Sequence, residues 1–222
     1  MTSTELAIDR NDLIENPTPR CACALVLDTS ASMDGEPIRE LNSALAQFIA
    51  ELKNDDFASY AIELCVVTFG GEIREQLGFT AAYQVDVDPR LTAEGATPMG
   101  EAVHRAVRML EQRKAEYKRE GVSYYQPWLV LMSDGAPTDD WQQAAEQLRG
   151  LAESRKVVSL PIGIGSADLD VLSQFSNRPA KPLAGLKFRE FFSWLSQSMA
   201  RVSQSTPGTA VKLPATSGWD SI

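Results

Sequence analysis

The sequence has few basic residues, a single histidine and only three cysteines. Lysine and arginine total 21 against 30 aspartate and glutamate residues, so the formal net charge is -9 at pH 7. This balance opposes the basic surface that binding to a phosphate backbone requires, and no nucleic-acid partner is expected. The shortage of histidine and cysteine leaves few candidate ligands for zinc, and the three cysteines are interpreted as core residues.

Long apolar stretches are absent too, and their absence helps to predict the cellular location of the protein. No run of about eighteen or more apolar residues occurs, so no membrane-spanning helix is expected. The acidic N-terminus lacks the basic and apolar regions of a signal peptide. An odd number of cysteines within apolar, strand-like runs suits a reducing compartment. The sequence therefore predicts a cytoplasmic protein that has no membrane partner.

What the sequence does contain is the composition of one globular domain. Hydrophobic residues make up 44% and charged residues 23% of the chain, as is usual for soluble proteins. Residues 1–19 are polar, include two late prolines and are interpreted as an N-terminal arm. Residues 204–222 are rich in serine, threonine, proline and glycine and are predicted to form a flexible tail. One domain is expected over residues 20–203.

Apolar runs without polar alternation indicate strands that are buried on both faces of a parallel sheet. Such strands are predicted at 21–27, 60–69, 128–132 and 157–164, with a charged antiparallel edge strand at 72–77 after a Gly-Gly turn. Helical spacing predicts helices at 37–53, 99–120, 139–154, 169–175 and 188–202. This order predicts an α/β fold with a doubly wound, mostly parallel central sheet, one antiparallel edge strand and helices on both faces.

Polar side chains with oxygen atoms follow the predicted strands at three places. Asp28, Ser30 and Ser32 form the segment DTSAS after the first strand, Thr97 lies in GATP before a long helix, and Asp134 lies in SDG after a later strand. Ligands of such sheets bind beyond the carboxyl ends of the strands, so these side chains are expected to converge. Oxygen-only sets with few carboxylates suit Mg²⁺ or Mn²⁺ rather than Zn²⁺.

These three motifs, in this order, resemble the metal-ion-dependent adhesion site of the von Willebrand factor A (vWA) domain, a Rossmann-like fold. The resemblance covers about residues 20–203. It implies that Asp28, Ser30 and Ser32 hold the metal, with the two serines as direct ligands. It also implies that Thr97 binds directly or through water and that Asp134 acts mainly through water. The segments GEPIRELN, DGAPTDDW and FREFFSWLSQSMARVS resemble the TerY-like branch, bacterial proteins of tellurite-resistance and stress-response clusters.

The resemblance also implies a function. It is that of a protein-interaction module, not an enzyme, in which bound Mg²⁺ takes an Asp or Glu carboxylate of a partner protein as its last ligand. Kinase-like or phosphatase-like proteins of the same clusters are the implied partners.

Three alternatives stay open. Asp28 is also the candidate phosphoryl acceptor of a Mg²⁺-dependent phosphohydrolase, although Ser30 stands where such enzymes need a second acid. The Asp-Thr-Ser segment by itself also suits local capping of the following helix. A structural subunit with a vestigial metal site is the third.

Overall fold

One six-stranded sheet organises the chain. The computed structural model describes residue 13, residues 15–86 and residues 90–216. The strands are β1 (Cys21–Asp28), β2 (Ile62–Gly70), β3 (Glu72–Ala81), β4 (Trp128–Ser133), β5 (Val158–Ile164) and β6 (Lys181–Leu183). They lie in the order β3-β2-β1-β4-β5-β6, and every neighbouring pair is parallel except β2 and β3. The predicted fold class is confirmed.

Helices cover both faces of the sheet. They are α1 (Glu36–Asn54), α2 (Ala58–Ala61), α3 (Met99–Glu120), α4 (Gln142–Glu153), α5 (Leu169–Ser173) and α6 (Phe188–Ser203). The apolar faces of α1 and α6 form one hydrophobic core with the sheet, and those of α3, α4 and α5 form a second core on the opposite side. Within the described ranges, no helix is both long and apolar enough to cross a membrane.

The central position of β1 follows from its composition. All eight of its residues are buried, and alternate side chains enter the two cores. A strand that is covered on both faces has no solvent side, which explains its continuous apolar run. Asp28 is the exception, an acid at the carboxyl end of this buried strand. The fold thereby carries a carboxylate to the edge where the loops meet.

The cysteines are part of these two cores. Cys21, Cys23 and Cys65 are all free and buried. Cys21 and Cys23 lie in the core under α1 and α6, whereas Cys65 lies on the opposite face of the sheet. Burial raises the pKa of Cys21 to about 12, so its thiol stays protonated at neutral pH. The interpretation of the cysteines as core residues is confirmed.

Some element boundaries differ from the sequence pattern. Strand β2 begins at Ile62 rather than residue 60, because Ala58–Ala61 forms a helical turn. Asp55 Oδ1 accepts from the amides of Phe57 and Ala58 at the start of this turn. Helix α4 begins at Gln142 rather than residue 139, because the Asp139 side chain accepts from backbone amides of α3 instead. Strand β3 extends to Ala81. Strand β6 was not predicted, since three residues carry too little pattern.

The two ends of the chain are described only in part. Most of the predicted arm, residues 1–12 and 14, and the end of the predicted tail, residues 217–222, lie outside the described residues. Residues 204–216 follow α6 back along its surface. Trp194 Nε1 donates to the Pro214 carbonyl oxygen at 3.0 Å, and Val211 and Leu213 pack against the core. The flexibility of the whole tail stays a prediction, but these contacts join its first part to α6.

Candidate metal centre

Asp28 is the most deeply buried polar group of the centre. Its exposure is 0%, Oδ1 accepts from the Ser30 amide at 2.8 Å, and Oδ2 accepts from Ser133 Oγ at 2.5 Å. Burial raises the pKa of Asp28 and the charge of Asp134 raises it further, while the hydrogen bonds from Ser133 and Ser30 oppose the rise. Among the described residues, no basic side chain contributes to this balance. The carboxylate is therefore held in place by neutral donors alone.

A row of hydroxyl groups joins Asp28 to the second carboxylate. Ser30 Oγ and Ser32 Oγ lie 3.0 Å apart, and Ser32 Oγ donates to Asp134 Oδ1 at 2.8 Å. Ser30 is buried, whereas Ser32 is exposed and Asp134 is partly buried. The oxygen atoms of these side chains thus extend from the buried Asp28 to the exposed Ser32 at the protein surface.

Thr97 comes to the same place from a different loop. A β-carbon built on Gly135 would lie 3.8 Å from Thr97 Oγ1 and 4.0 Å from Ser32 Oγ, so both hydroxyls border this glycine. The Thr97 loop is tied to the first loop, because the Ala31 amide donates to the Gly95 carbonyl oxygen at 3.0 Å. Gly95 itself has φ +70°, a left-handed conformation that favours glycine.

All five residues predicted from the sequence are therefore neighbours. Asp28, Ser30, Ser32 and Asp134 form a connected set of hydrogen bonds, and Thr97 lies beside Gly135. Their role as metal ligands stays a prediction.

Three further residues support the centre and were not singled out from the sequence. Ser133 donates to Asp28, as described above. The Thr97 amide donates to Thr138 Oγ1 at 3.0 Å, and the Thr138 amide donates to the Thr97 carbonyl oxygen at 2.9 Å. Asp139 accepts from the amides of Gly100 and Glu101 at 3.1 and 2.8 Å. Thr138 therefore holds Thr97 in place through two hydrogen bonds, and Asp139 caps α3 from outside that helix.

A sequence signal for these supporting residues exists, but it is incomplete. Thr138 and Asp139 follow Asp134-Gly135 closely and are residue types that often accept backbone hydrogen bonds. Such a pattern predicts capping of the next helix, α4. It does not reveal that the capped helix is α3, whose first residue lies 40 positions earlier.

The donor set fits a hard divalent cation. It combines the carboxylates of Asp28 and Asp134 with the hydroxyls of Ser30, Ser32 and Thr97, and it contains no sulfur or imidazole. Over the described ranges, no cluster of three or more His, Cys, Asp or Glu side chains suits a metal, as expected for a site in which hydroxyls outnumber carboxylates. Oxygen donors of this kind suit Mg²⁺ or Mn²⁺ and not Zn²⁺.

The surroundings of Asp28 fit a phosphoryl acceptor poorly. A nucleophilic carboxylate must present one oxygen to the substrate. Asp28 has no exposed surface, and each of its oxygens already accepts a hydrogen bond. Attack by this group would require the loop carrying Ser30 or the Ser133 hydroxyl to move away.

The sheet order and the helices on both faces define an α/β domain, and a cluster of oxygen-bearing side chains lies at the carboxyl ends of its strands. The sequence profile of the von Willebrand factor type A domain matches residues 23–195. The chain belongs to this family. Domains of the family are commonly metal-dependent protein-interaction modules, and most are not enzymes.

Individual relatives are more distant. An uncharacterized protein of Synechocystis sp., sll0103, is 29% identical over 146 residues, which are 64% of this chain and 31% of that protein. The von Willebrand factor type A structure from Catenulispora acidiphila has a TM-score of 0.62 at 17% identity, covering 82% of this chain and 43% of that one. The chain thus spans less than half of the length of these two relatives.

A further structure was solved with a metal. Manganese-loaded TRAP protein from Plasmodium vivax has a TM-score of 0.51 at 20% identity, covering 76% of this chain and 69% of that one. Identities this low establish a common fold with the solved structures and leave the function of this chain to its own residues.

Proposed function

We propose that this chain is a protein-interaction module that binds one Mg²⁺ or Mn²⁺ at a metal-ion-dependent adhesion site and presents it to a partner. Ser30 and Ser32 are the direct ligands. Asp28 supplies the anionic anchor, Thr97 binds directly or through water, and Asp134 acts mainly through water. A cation held largely by neutral hydroxyls keeps a strong attraction for anions and coordinates an Asp or Glu carboxylate of the partner protein.

The observation that carries this proposal is the closeness of two carboxylates, with no basic side chain of the described residues in contact with Asp28. Asp28 is fully buried, its hydrogen-bond donors are neutral, and Asp134 adds a second negative charge nearby. A buried charge without a counterion is costly. A divalent cation held at this centre would compensate both charges. Manganese binding by the TRAP structure of similar fold adds support.

The wider setting is proposed from sequence resemblance. The chain is a non-enzymatic, cytoplasmic protein of the TerY-like branch, acting in a tellurite-resistance or stress-response system. Its partners are kinase-like or phosphatase-like proteins of that system. The phosphohydrolase alternative loses support because Asp28 is inaccessible. Turnover of a generic phosphate ester that disappears in Asp28→Asn would restore it.

Metal binding is tested first, by calorimetric titration of the purified chain with Mg²⁺ and Mn²⁺. One site of weak affinity is expected. Ser32→Ala removes an exposed ligand with little risk to folding and should weaken binding. Ser123→Ala, another exposed serine, is the matched control. Equal metal affinity in Ser32→Ala and the control, or stoichiometric zinc after native purification, would contradict the proposed site.

Partner binding is tested next with a purified partner from the same cluster. Binding should disappear on chelation and when the partner's coordinating acid is changed to its amide. Moderate salt should weaken binding little, because it also screens the repulsion between an acidic partner and a chain of net charge -9. Binding that persists in excess chelator and falls steeply with salt would identify an ordinary charged interface.

A further inference from the structure

A polar cavity opens beside the candidate metal centre. It lies between β2, β3 and the loop that precedes α3, and its volume is about 180 Å³. Its lining includes Thr29, Gly70, Arg74, Arg90 and Glu94. For comparison, a cavity of about 150 Å³ can hold one benzene molecule. The cavity is therefore large enough for one side chain and too small for a helix.

The cavity and the metal centre share a wall. Thr29 lines the cavity and stands in the chain between Asp28 and Ser30, two residues of the metal centre. Gly70 packs directly on it, since a β-carbon at this glycine would lie 2.6 Å from Thr29 Oγ1. The Glu94 amide closes the same wall by donating to the Thr29 carbonyl oxygen at 2.8 Å. A ligand at the metal and a ligand in the cavity would be neighbours.

Arg74 is the group in the cavity best suited to bind a ligand. Its Nη2 atom pairs with Glu94 Oε1 at 2.8 Å and with Glu72 Oε2 at 3.5 Å, and its side chain is 49% exposed. Both ion pairs use the same nitrogen, whereas Nε and Nη1 carry three of the five N–H donors of a guanidinium. The contact with Glu94 also shows that a carboxylate fits against Arg74 at this position.

We infer that this cavity is a second recognition subsite, in which Arg74 binds a second acidic side chain of the partner protein. The inference rests on the proposed function, because the first acid is the one that the metal takes. In an extended segment, side chains two residues apart point to the same side. The shortest extended partner segment that presents two acids to one side carries them with one residue between them, a stricter requirement than a single surface carboxylate.

The subsite also connects ligand binding to the loop of the metal centre. Glu94 occupies Arg74 in the free protein and lies three residues before Thr97 on the same loop. An incoming carboxylate competes with Glu94 for the guanidinium. Loss of that ion pair removes one of the contacts that hold the loop on which Thr97 lies.

The test uses two synthetic peptides that differ in one charge, acetyl-Gly-Asp-Gly-Glu-amide and acetyl-Gly-Asp-Gly-Gln-amide. They are titrated into the Mg²⁺-loaded protein and followed by NMR. The glutamate peptide should bind more tightly by about 1.5-fold to fivefold, the range of one exposed charge pair. Arg74→Gln should remove this difference, and Glu94→Gln should enlarge it by deleting the internal competitor. Damage to the fold would not produce opposite effects.

Arg105→Gln is the matched control. Arg105 lies on α3, is 42% exposed and pairs with Glu75, so its replacement should keep the preference for the glutamate peptide. Equal affinity of the two peptides, or a preference that survives Arg74→Gln, overturns the subsite. Tighter binding of a third peptide with lysine in place of the second acid also overturns it, because the glutamates of the cavity would then set the selectivity.

Failure of the proposed function gives a different result. If Mg²⁺ changes the affinity of neither peptide, the metal bridge is wrong. The subsite is then judged in chelator with acetyl-Gly-Glu-Gly-amide at high concentration. Shifts of the Thr29 and Gly70 amides that vanish in Arg74→Gln would support an acid-binding cavity without a metal, and their absence would reject it.

Discussion

Replacing Asp28 by asparagine should affect stability in opposite directions in the two states of the protein. Relative to the native chain, the variant should be no less stable without metal and less stable with metal. In chelator the variant should be at least as stable as the native chain. Asparagine keeps the acceptor for the Ser30 amide, and its amide group can donate to Ser133 Oγ, whose own proton can then turn to the Gly135 carbonyl oxygen at 3.3 Å. The substitution removes a buried charge and leaves its hydrogen bonds in place.

The pH dependence follows from the direction of the pKa shift. The pKa of Asp28 in the folded chain is raised above its ordinary value of 3.8. The folded state therefore loses stability as the pH rises from 3.8 through the raised pKa, and below 3.8 the loss is absent. Asp28→Asn has no such loss, so in chelator its advantage should appear on raising the pH and vanish in acid.

In saturating Mg²⁺ the native chain should be more stable than Asp28→Asn. Free metal at about 100 times its dissociation constant stabilises a protein by about 2.7 kcal/mol, which raises Tm by on the order of 5–10 °C at this chain length. The native protein should show this rise, and Asp28→Asn, with a neutral oxygen as anchor, should show little of it. The assay is thermal unfolding in chelator and in Mg²⁺, with Asp56→Asn as an exposed control. An equal rise in Asp28→Asn would refute the reasoning.

Three further changes test other parts of the structure. Thr138→Val should weaken Mg²⁺ binding on the order of tenfold in calorimetry, the usual effect of losing a group that orients a ligand, and Thr138→Ser should restore it. Tyr117→Phe should lower the free energy of unfolding in urea by about 1.5–3 kcal/mol, because the buried Glu63 carboxylate loses a donor at 2.6 Å, and metal affinity should not change. Removal of residues 205–222 should cost about 2 kcal/mol in thermal unfolding through lost packing on α6, which a tail that is flexible throughout would not cause. Loss of residues 217–222 alone should be harmless.

The fold was largely predictable because its pattern is local. Continuous apolar runs such as Cys21–Asp28 have a single physical explanation, a strand covered on both faces. Helix α3 shows its spacing over 22 residues, enough to settle its ends. The weakest predictions concern short elements, such as Ala58–Ala61 and Lys181–Leu183, because three or four residues carry no period and depend on their neighbours for stability.

The residues of the candidate site were predictable for a related reason. Asp28 and Asp134 each lie where a buried parallel strand ends or has just ended, and such ends meet at one edge of the sheet. Motif order and topology were therefore enough to bring five side chains together. Sequence position alone determined that they are neighbours and that the polar atoms they offer are oxygens.

Only the tertiary structure decided which groups hold those side chains in place. The hydrogen bonds between Thr138 and Thr97 join residues 41 positions apart. Asp139 caps a helix that lies earlier in the chain. The ion pair of Arg74 with Glu94 joins an edge strand to a loop. None of these contacts has a period or a fixed spacing. They depend on how closely separate loops approach, and that distance is set by the packing of the helices and the sheet beneath them.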